Sequence, residues 1–366
     1  MEIRGERDAL VEAGQAVLRV VSPRATLPVL AGVRITAGNE GVEFAATDLE
    51  VFIAVKSDLV VESAGVAVVP GRLFGEILRS LPPGQVTIRA QSSEVVIEAP
   101  RVEFSLSALP AGEFPEVGKI GEASVNRLTA TDLHQALRQV VRAASADEAR
   151  PVLTGVLWSL DGGMLRLVST DSYRLAIREI VPKEAGTGRE AILPGRALAE
   201  FGRHLGGLGD GAAEIAVGES QAALEVGPVR LVTRLIEGEF PNYRQLVPAG
   251  YRSRLVAGRE TLLEAVGRVG VVAQPNTPLR LHLGDEVRLT VTEPGIGEAH
   301  EVVEGAAYEG EPMVIAFSPR FLSDGLEGVE EERAVLETAD PSKPAIVKGE
   351  SREDFTYLVM PVRLGR

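Results

Sequence analysis

Apolar residues at Leu10, Ala13, Val17 and Val21 keep the three-to-four spacing of an amphipathic helix across residues 8–21. Residues 30–37, 41–48 and 50–61 then run through β-branched stretches with period-two character, separated by Gly, Asn and Asp, and predict antiparallel hairpins. A second helical pattern, RLFGEILRSL at 72–81, opens behind Pro70 and Gly71. Strand patterns return at 85–90, 94–100 and 102–109. The order helix, strands, helix, strands predicts an α+β domain with its helices on one face of an antiparallel sheet.

The same order is written again. LPVLAGV at 27–33 is answered by RPVLTGV at 150–156, and in both copies a Thr-Asp pair stands nineteen residues after the proline: Thr47-Asp48 and Thr170-Asp171. VVPGRLF at 68–74 matches ILPGRAL at 192–198, and GEFPEV at 112–117 matches GEFPNY at 238–243. A third, more diverged copy carries helical patterns at 261–272 and 319–326. The period of about 120 residues exceeds that of solenoid repeats, so each unit is a small domain in its own right. The expected boundaries are 1–120, 121–249 and 250–366.

Composition narrows the function. With 45% hydrophobic and 25% charged residues the chain has the balance of a globular protein. It has no cysteine, which excludes disulfides, thiol catalysis and cysteine-ligated metals. Charges replace the apolar run of a signal peptide in MEIRGERDAL, and no stretch reaches membrane-spanning length, so a cytoplasmic protein with no membrane contact is expected. The net charge of −14 counts against nucleic acid only on average, because one basic face can sit on an acidic protein. Of 38 basic residues only five are lysines, and each predicted helix carries arginine opposite its apolar stripe: Arg19, Arg79, Arg138 with Arg142, Arg203, Arg268 and Arg320.

Catalytic signatures are missing. The four histidines have no metal-ligand spacing, and neither a nucleophile elbow nor a phosphate loop is present, so no cofactor and no metal are expected. The paired carboxylates of a glycoside hydrolase find candidates in Asp48 and Asp171. Their recurrence at one point of two domains fits instead a turn closed by side-chain to backbone hydrogen bonds.

Taken together and in order, RATLPVL, ATDLE, VPGRLF, FSLSALP, GEFPEV, STDSYRLA, GEFPNYRQLVP and YLVMPVRL resemble the β subunit of bacterial DNA polymerase III, the sliding clamp, over the whole chain. The resemblance implies three tandem copies of the clamp domain and a head-to-tail homodimer, a ring of six domains with helices lining the hole. It implies duplex DNA held by topology without sequence readout, and no enzymatic activity. Implied partners are the polymerase III catalytic subunit, the clamp loader, repair polymerases and mismatch-repair proteins. The alternative from another class is a peptide-binding adaptor of the same fold that does not encircle DNA.

Carried over by position, the partner-peptide groove would use Leu153, Thr170, Ser172, Tyr173, Arg174 and Leu175, then Pro241 and Leu246, then Val359, Met360, Pro361, Val362 and Arg363. Here Ser172-Tyr173 replaces the usual Gly-His, and the chain runs on into Gly365-Arg366. The resemblance turns Arg24 and the helix arginines Arg19, Arg79, Arg138, Arg142, Arg203 and Arg268 toward DNA. It sets Phe104 and Leu106 of one protomer against Val271 and Val272 of the other.

Overall fold

The computed structural model describes residues 1–22, 27–116, 120–248 and 250–363. By contact the chain falls into two compact units, Met1–Thr131 with Glu200–Leu235, and Asp132–Ala199 with Ile236–Arg366. The division runs through the middle sequence repeat, because each half of that repeat shares a sheet with a neighbour.

In the first unit a five-stranded sheet has the order Val60–Ser63, Glu2–Glu6, Gln85–Gln91, Glu94–Ala99, Val102–Ser107. An eight-stranded sheet runs Ser124–Thr129, Ala212–Val217, Gln221–Val226, Val229–Arg234, Val51–Ser57, Gly41–Thr47, Gly32–Gly38, Gly65–Pro70. Helices α1 (Arg7–Leu18) and α2 (Gly71–Ser80) pack against each other. Gly14 and Gly75 allow the close approach: a Cβ on Gly14 would strike Leu78, and one on Gly75 would strike Leu18. The predicted helices and strands of this repeat are found, except that the run expected as one strand at 50–61 breaks after Ser57 into Val51–Ser57 and Val60–Ser63, which lie in different sheets. The strand Glu2–Glu6 was not legible, since EIRGE is short and charged; pairing on both edges holds it in the sheet.

The middle repeat contributes α3 (Ala130–Val140), extended by a 3-10 turn at Val141–Ala143, and α4 (Gly195–Leu205). In the second unit a nine-stranded sheet runs Ala191–Pro194, Gly155–Asp161, Met164–Thr170, Arg174–Ile180, Phe355–Val359, Ala345–Gly349, Arg333–Thr338, Ser253–Gly258, Ala307–Glu309. A four-stranded sheet runs Gly297–Val302, Arg288–Glu293, Leu279–Leu283, Met313–Phe317. Helices α5 (Arg259–Gly270) and α6 (Pro319–Gly328) pack together, and α6 also lies on Phe355–Val359.

The doubled sequence words build doubled structure. Both PVL words form a 3-10 turn, Pro28–Ala31 and Pro151–Thr154, whose following glycine opens a strand. A Cβ on Gly32 would strike Val68, and one on Gly155 would strike Ile192, so close packing explains both glycines. Both Thr-Asp words close a turn. The Thr47 hydroxyl donates to the Val51 carbonyl at 2.9 Å while Asp48 accepts from the Glu50 and Val51 amides. Likewise Thr170 donates to the Arg174 carbonyl at 2.6 Å, and Asp171 accepts from the Tyr173 and Arg174 amides at 2.9 and 3.0 Å. The residue at the tip, Leu49 or Ser172, takes a left-handed φ of 78° or 80°. These two aspartates thus act as turn caps, the role their recurrence suggested.

Neighbouring repeats are joined edge to edge. The last strand of the middle repeat, Val229–Arg234, pairs antiparallel with the Val51–Ser57 strand of the first, in the register Leu231↔Ile53. Phe52, Ala54 and Val232 pack beneath it with Val29, Leu30 and Phe114. The last strand of the third repeat, Phe355–Val359, pairs in the same way with Arg174–Ile180, in the register Leu175↔Leu358. Two equivalents of these strands, Val102–Ser107 and Gly297–Val302, stand as sheet edges.

Helix α6 owes its seat to glycine. A Cβ on Gly325 would come within 2.5 Å of the Tyr357 ring, and one on Gly328 would meet the Phe355 ring. Gly325→Ala is expected to destabilise the protein by about 1–3 kcal/mol through overpacking against a fully buried ring, measured as a lower denaturant midpoint.

Candidate functional site

The residues singled out in the sequence fall into three sets. The first lies at one end of the joint between Arg174–Ile180 and Phe355–Val359. The Thr170–Arg174 turn meets the C-terminal segment there, and the Met360 amide donates to the Tyr173 carbonyl at 2.8 Å. Thr170, Arg174, Leu175 and Val359 are buried, and Leu153 is nearly so. Ser172 is exposed and accepts a hydrogen bond from Arg150 at 3.1 Å, which ties the turn to the segment before Leu153.

Tyr173, Leu246, Met360 and Val362 supply the exposed apolar surface, Tyr173 most of all at 62%. Pro241 and Leu246 belong to the segment around the 3-10 turn Tyr243–Gln245. That segment lays Phe240, Tyr243 and Val247 over Leu157, Val168, Leu175 and Leu358, so Leu175 and Leu358 form a floor beneath it. Val362 is anchored by its amide to the Ala316 carbonyl at 2.8 Å, Pro361 is half-buried, and Arg363 is exposed. Gly365-Arg366 lie outside the described residues.

Arg174 differs from the rest of the set. Its side chain is only 5% exposed and ion-pairs with Asp171 at 2.9 Å and with Asp324 of α6. Its guanidinium lies 4.4 Å from the centre of the Phe321 ring, and the Tyr173 ring stacks on the same ring at 6.4 Å. Phe321 and Asp324 are site neighbours absent from the sequence-based set. Their one signal is the i, i+3 spacing on a helix, which needs the fold to become meaningful.

The second set is the helix arginines, of which Arg19, Arg79 and Arg203 belong to the first unit and Arg138, Arg142 and Arg268 to the second. Arg19, Arg79 and Arg138 are exposed at the ends of α1, α2 and α3 and have no ion pair among the described residues. Arg203 is exposed and sits 3.3 Å from Glu200. Two others are already neutralised within the fold. Arg142 is held by Glu327 at 2.5 Å and by Asp324 at 3.7 Å. Arg268 is held by Glu301 at 2.6 Å and by Glu264 at 3.1 Å, and its hydrogen bond keeps the Glu301 carboxyl below its ordinary range. A guanidinium with a carboxylate partner offers phosphate less than a free one, so the six contribute unequally. Arg24 lies outside the described residues.

The third set belongs to two open sheet edges, one in each unit. On Val102–Ser107, Phe104 is half-buried and Leu106 buried, and both pair with Glu94–Ala99 in the sheet. Beyond α5, Val271 is 83% exposed and Val272 half-buried, close to the Gly297–Val302 edge that also exposes Val302. A valine this exposed is an unpartnered apolar group beside an unpaired strand. Among the described residues no cluster of acidic and histidine side chains is placed to hold a metal ion, and no helix is long and apolar enough to cross a membrane.

Two helices against antiparallel sheets, written three times in tandem with the repeats sharing strand ladders, define a DNA clamp. The family models of the DNA polymerase III beta subunit match in order: the N-terminal domain at residues 1–118, the central domain at 127–242 and the C-terminal domain at 244–363. The chain is 34% identical to the beta sliding clamp of Streptomyces coelicolor over 100% of both proteins. Its fold matches the DNA polymerase sliding clamp of Bacillus subtilis with a TM-score of 0.92 at 28% identity, covering 100% of both chains. It matches the sliding clamp of Pseudomonas aeruginosa bound to griselimycin with a TM-score of 0.91 at 30% identity, again over 100% of both. The chain belongs to the DNA polymerase III beta subunit family, and its function is that of a DNA sliding clamp.

One ion cluster near the first joint sets an acid limit. Burial opposes ionisation of Asp354, but Arg352 and Arg178 outweigh it and hold the carboxyl below its ordinary 3.8. A depressed carboxyl contributes stability above its unfolded pKa and loses it as the pH falls through the folded one. Asp354→Asn leaves Arg178, itself 3% exposed, without its carboxylate. We expect a loss of about 1–3 kcal/mol near neutrality. In denaturation series at several pH values, the gap between variant and parent should close below pH 3.8.

Proposed function

We propose that two copies of this chain close head to tail into a ring of six domains that encircles duplex DNA and tethers the replicative polymerase without catalysing a reaction. The observation that carries this is the pair of open edges. Each repeat's last strand seeks the third hairpin strand of the repeat before it, and Val102–Ser107 and Gly297–Val302 are the two members left over. A second copy related by a two-fold axis supplies both missing ladders at once, so the assembly closes and does not run into fibres. Phe104, Leu106, Val271 and Val272 would be the apolar anchors of each interface. The domain limits we assign to each clamp unit are 1–120, 121–249 and 250–366.

Inside such a ring Arg19, Arg79, Arg138 and Arg203 would face the phosphates, with Arg142 and Arg268 as weaker, internally paired members. Weak contacts suit a ring that must slide, since strong phosphate binding adds salt-sensitive friction. Retention should therefore be topological. The loaded protein is expected to stay on nicked circular DNA at raised salt and to leave the same DNA once linearised. Arg138→Ala with Arg142→Ala should slow loading and leave retention intact. Equal release from circle and line would overturn encirclement and favour a non-encircling adaptor.

The groove built by Leu153, Thr170, Ser172, Tyr173, Leu175, Pro241, Leu246, Val359, Met360, Pro361, Val362 and Arg363, with Arg174 behind it, would take an extended peptide segment of each partner. These include the polymerase catalytic subunit, the clamp loader, repair polymerases and mismatch-repair proteins. An apolar floor with a few polar groups fits that task, and exposed Met360 gives it an adaptable wall. We assign griselimycin, the ligand of the Pseudomonas aeruginosa clamp, to the same groove. For the ring itself, Val271→Asp puts a charge into each interface. It should shift the protein from dimer to monomer at concentrations where the parent is dimeric, seen by sedimentation, with griselimycin binding unchanged.

A further inference from the structure

Helix α6 reaches the groove through two side chains one turn apart. Phe321 lies under the Tyr173 ring and under the Arg174 guanidinium, and Asp324 takes the far end of the same guanidinium. The helix is fixed in turn by the Tyr357 hydroxyl, which donates to the Phe321 carbonyl at 2.9 Å, and by the glycine contacts of Gly325 and Gly328 with the sheet. Sequence, packing and site are thus linked: small residues on the sheet side of α6 let its Phe321 and Asp324 grip the turn.

The turn needs a grip. Ser172 holds a φ of 80°, a conformation that an L-residue adopts at a cost, and Tyr173 stands exposed beside it. Arg174 is too deeply buried to meet a ligand, so its charge serves the fold of the turn. Asp171 binds it from within the turn, and Asp324 binds it from outside. Charge-assisted contacts of this kind fix direction as well as distance. We propose that Asp324 is a positioning residue of the peptide groove: through Arg174, and together with Phe321, it sets where the Tyr173 ring is presented to a bound peptide.

This rests on the groove assigned above, and the test separates the two. Griselimycin affinity is measured on the full-length protein for the parent, Asp324→Asn, Phe321→Leu, Glu327→Gln, and Leu246→Asp with Met360→Asp. Asp324→Asn and Phe321→Leu should each weaken binding by about tenfold, the order expected when a supporting contact of a site is lost. Glu327→Gln removes a carboxylate from the same helix, one that pairs with Arg142 and not with the turn, and should stay within about twofold of the parent. Hydrogen exchange gives a second readout. In Asp324→Asn the Tyr173 and Arg174 amides, both bonded to Asp171, should exchange faster while the α6 amides do not change.

Parent-like affinity in both Asp324→Asn and Phe321→Leu overturns the proposal. So does an equal loss in Glu327→Gln, which would assign the effect to the general charge of α6. If the Leu246→Asp, Met360→Asp variant binds griselimycin as the parent does, the groove assignment itself fails.

Discussion

The backbone ladder between repeats is the constraint on which the rest depends. A strand edge carries unpaired N–H and C=O groups that must find partners when buried. The last strands of the second and third repeats each meet such an edge in the repeat before. Register fixes more than the number of hydrogen bonds. With Leu175 opposite Leu358, the floor of the first set exists, and with Val232 opposite Phe52 the corresponding core of the first unit closes. A slip of one residue would turn these side chains to the wrong face. The groove we propose would therefore be a by-product of joining repeats, where the C-terminal strand meets the Thr-Asp turn.

Much of this was legible in the sequence because the chain states it more than once. Each copy of a word reduces the chance that its spacing is accidental, and PVL-x-G and Thr-Asp proved to be a 3-10 turn and a capped turn in both copies. The helix expected at 72–81 could be placed almost to the residue behind Pro-Gly, and it runs over Gly71–Ser80. Glu2–Glu6 escaped because a strand held by its two neighbours needs no apolar alternation of its own. Phe321 and Asp324 escaped for a related cause: a grip between residues 147 or more positions apart leaves no local pattern, and only the seat of α6 brings them to Tyr173 and Arg174.

Charge shows the same limit from the other side. A sequence records which residues carry charge but not how they are paired. Arg142 and Arg268 look like Arg19 and Arg138 along a helix, yet the fold gives the first two carboxylate partners and leaves the others open. Pairing removes one charge of each sign and leaves the total of −14 unchanged, so a basic face depends on where the unpaired charges lie. What a polyanion would meet is the remainder after internal pairing.

Two kinds of joint follow from the open edges at Val102–Ser107 and Gly297–Val302. The joints inside the chain close between strands that a covalent linker already holds near one another, at an effective concentration far above that of free protein. The joint a second copy supplies has the same ladder but no linker, so its reformation depends on bulk concentration. In the proposed ring the same kind of ladder would thus have unequal persistence. In the ring proposed above, the joints between copies would be its seams, the places where it opens first.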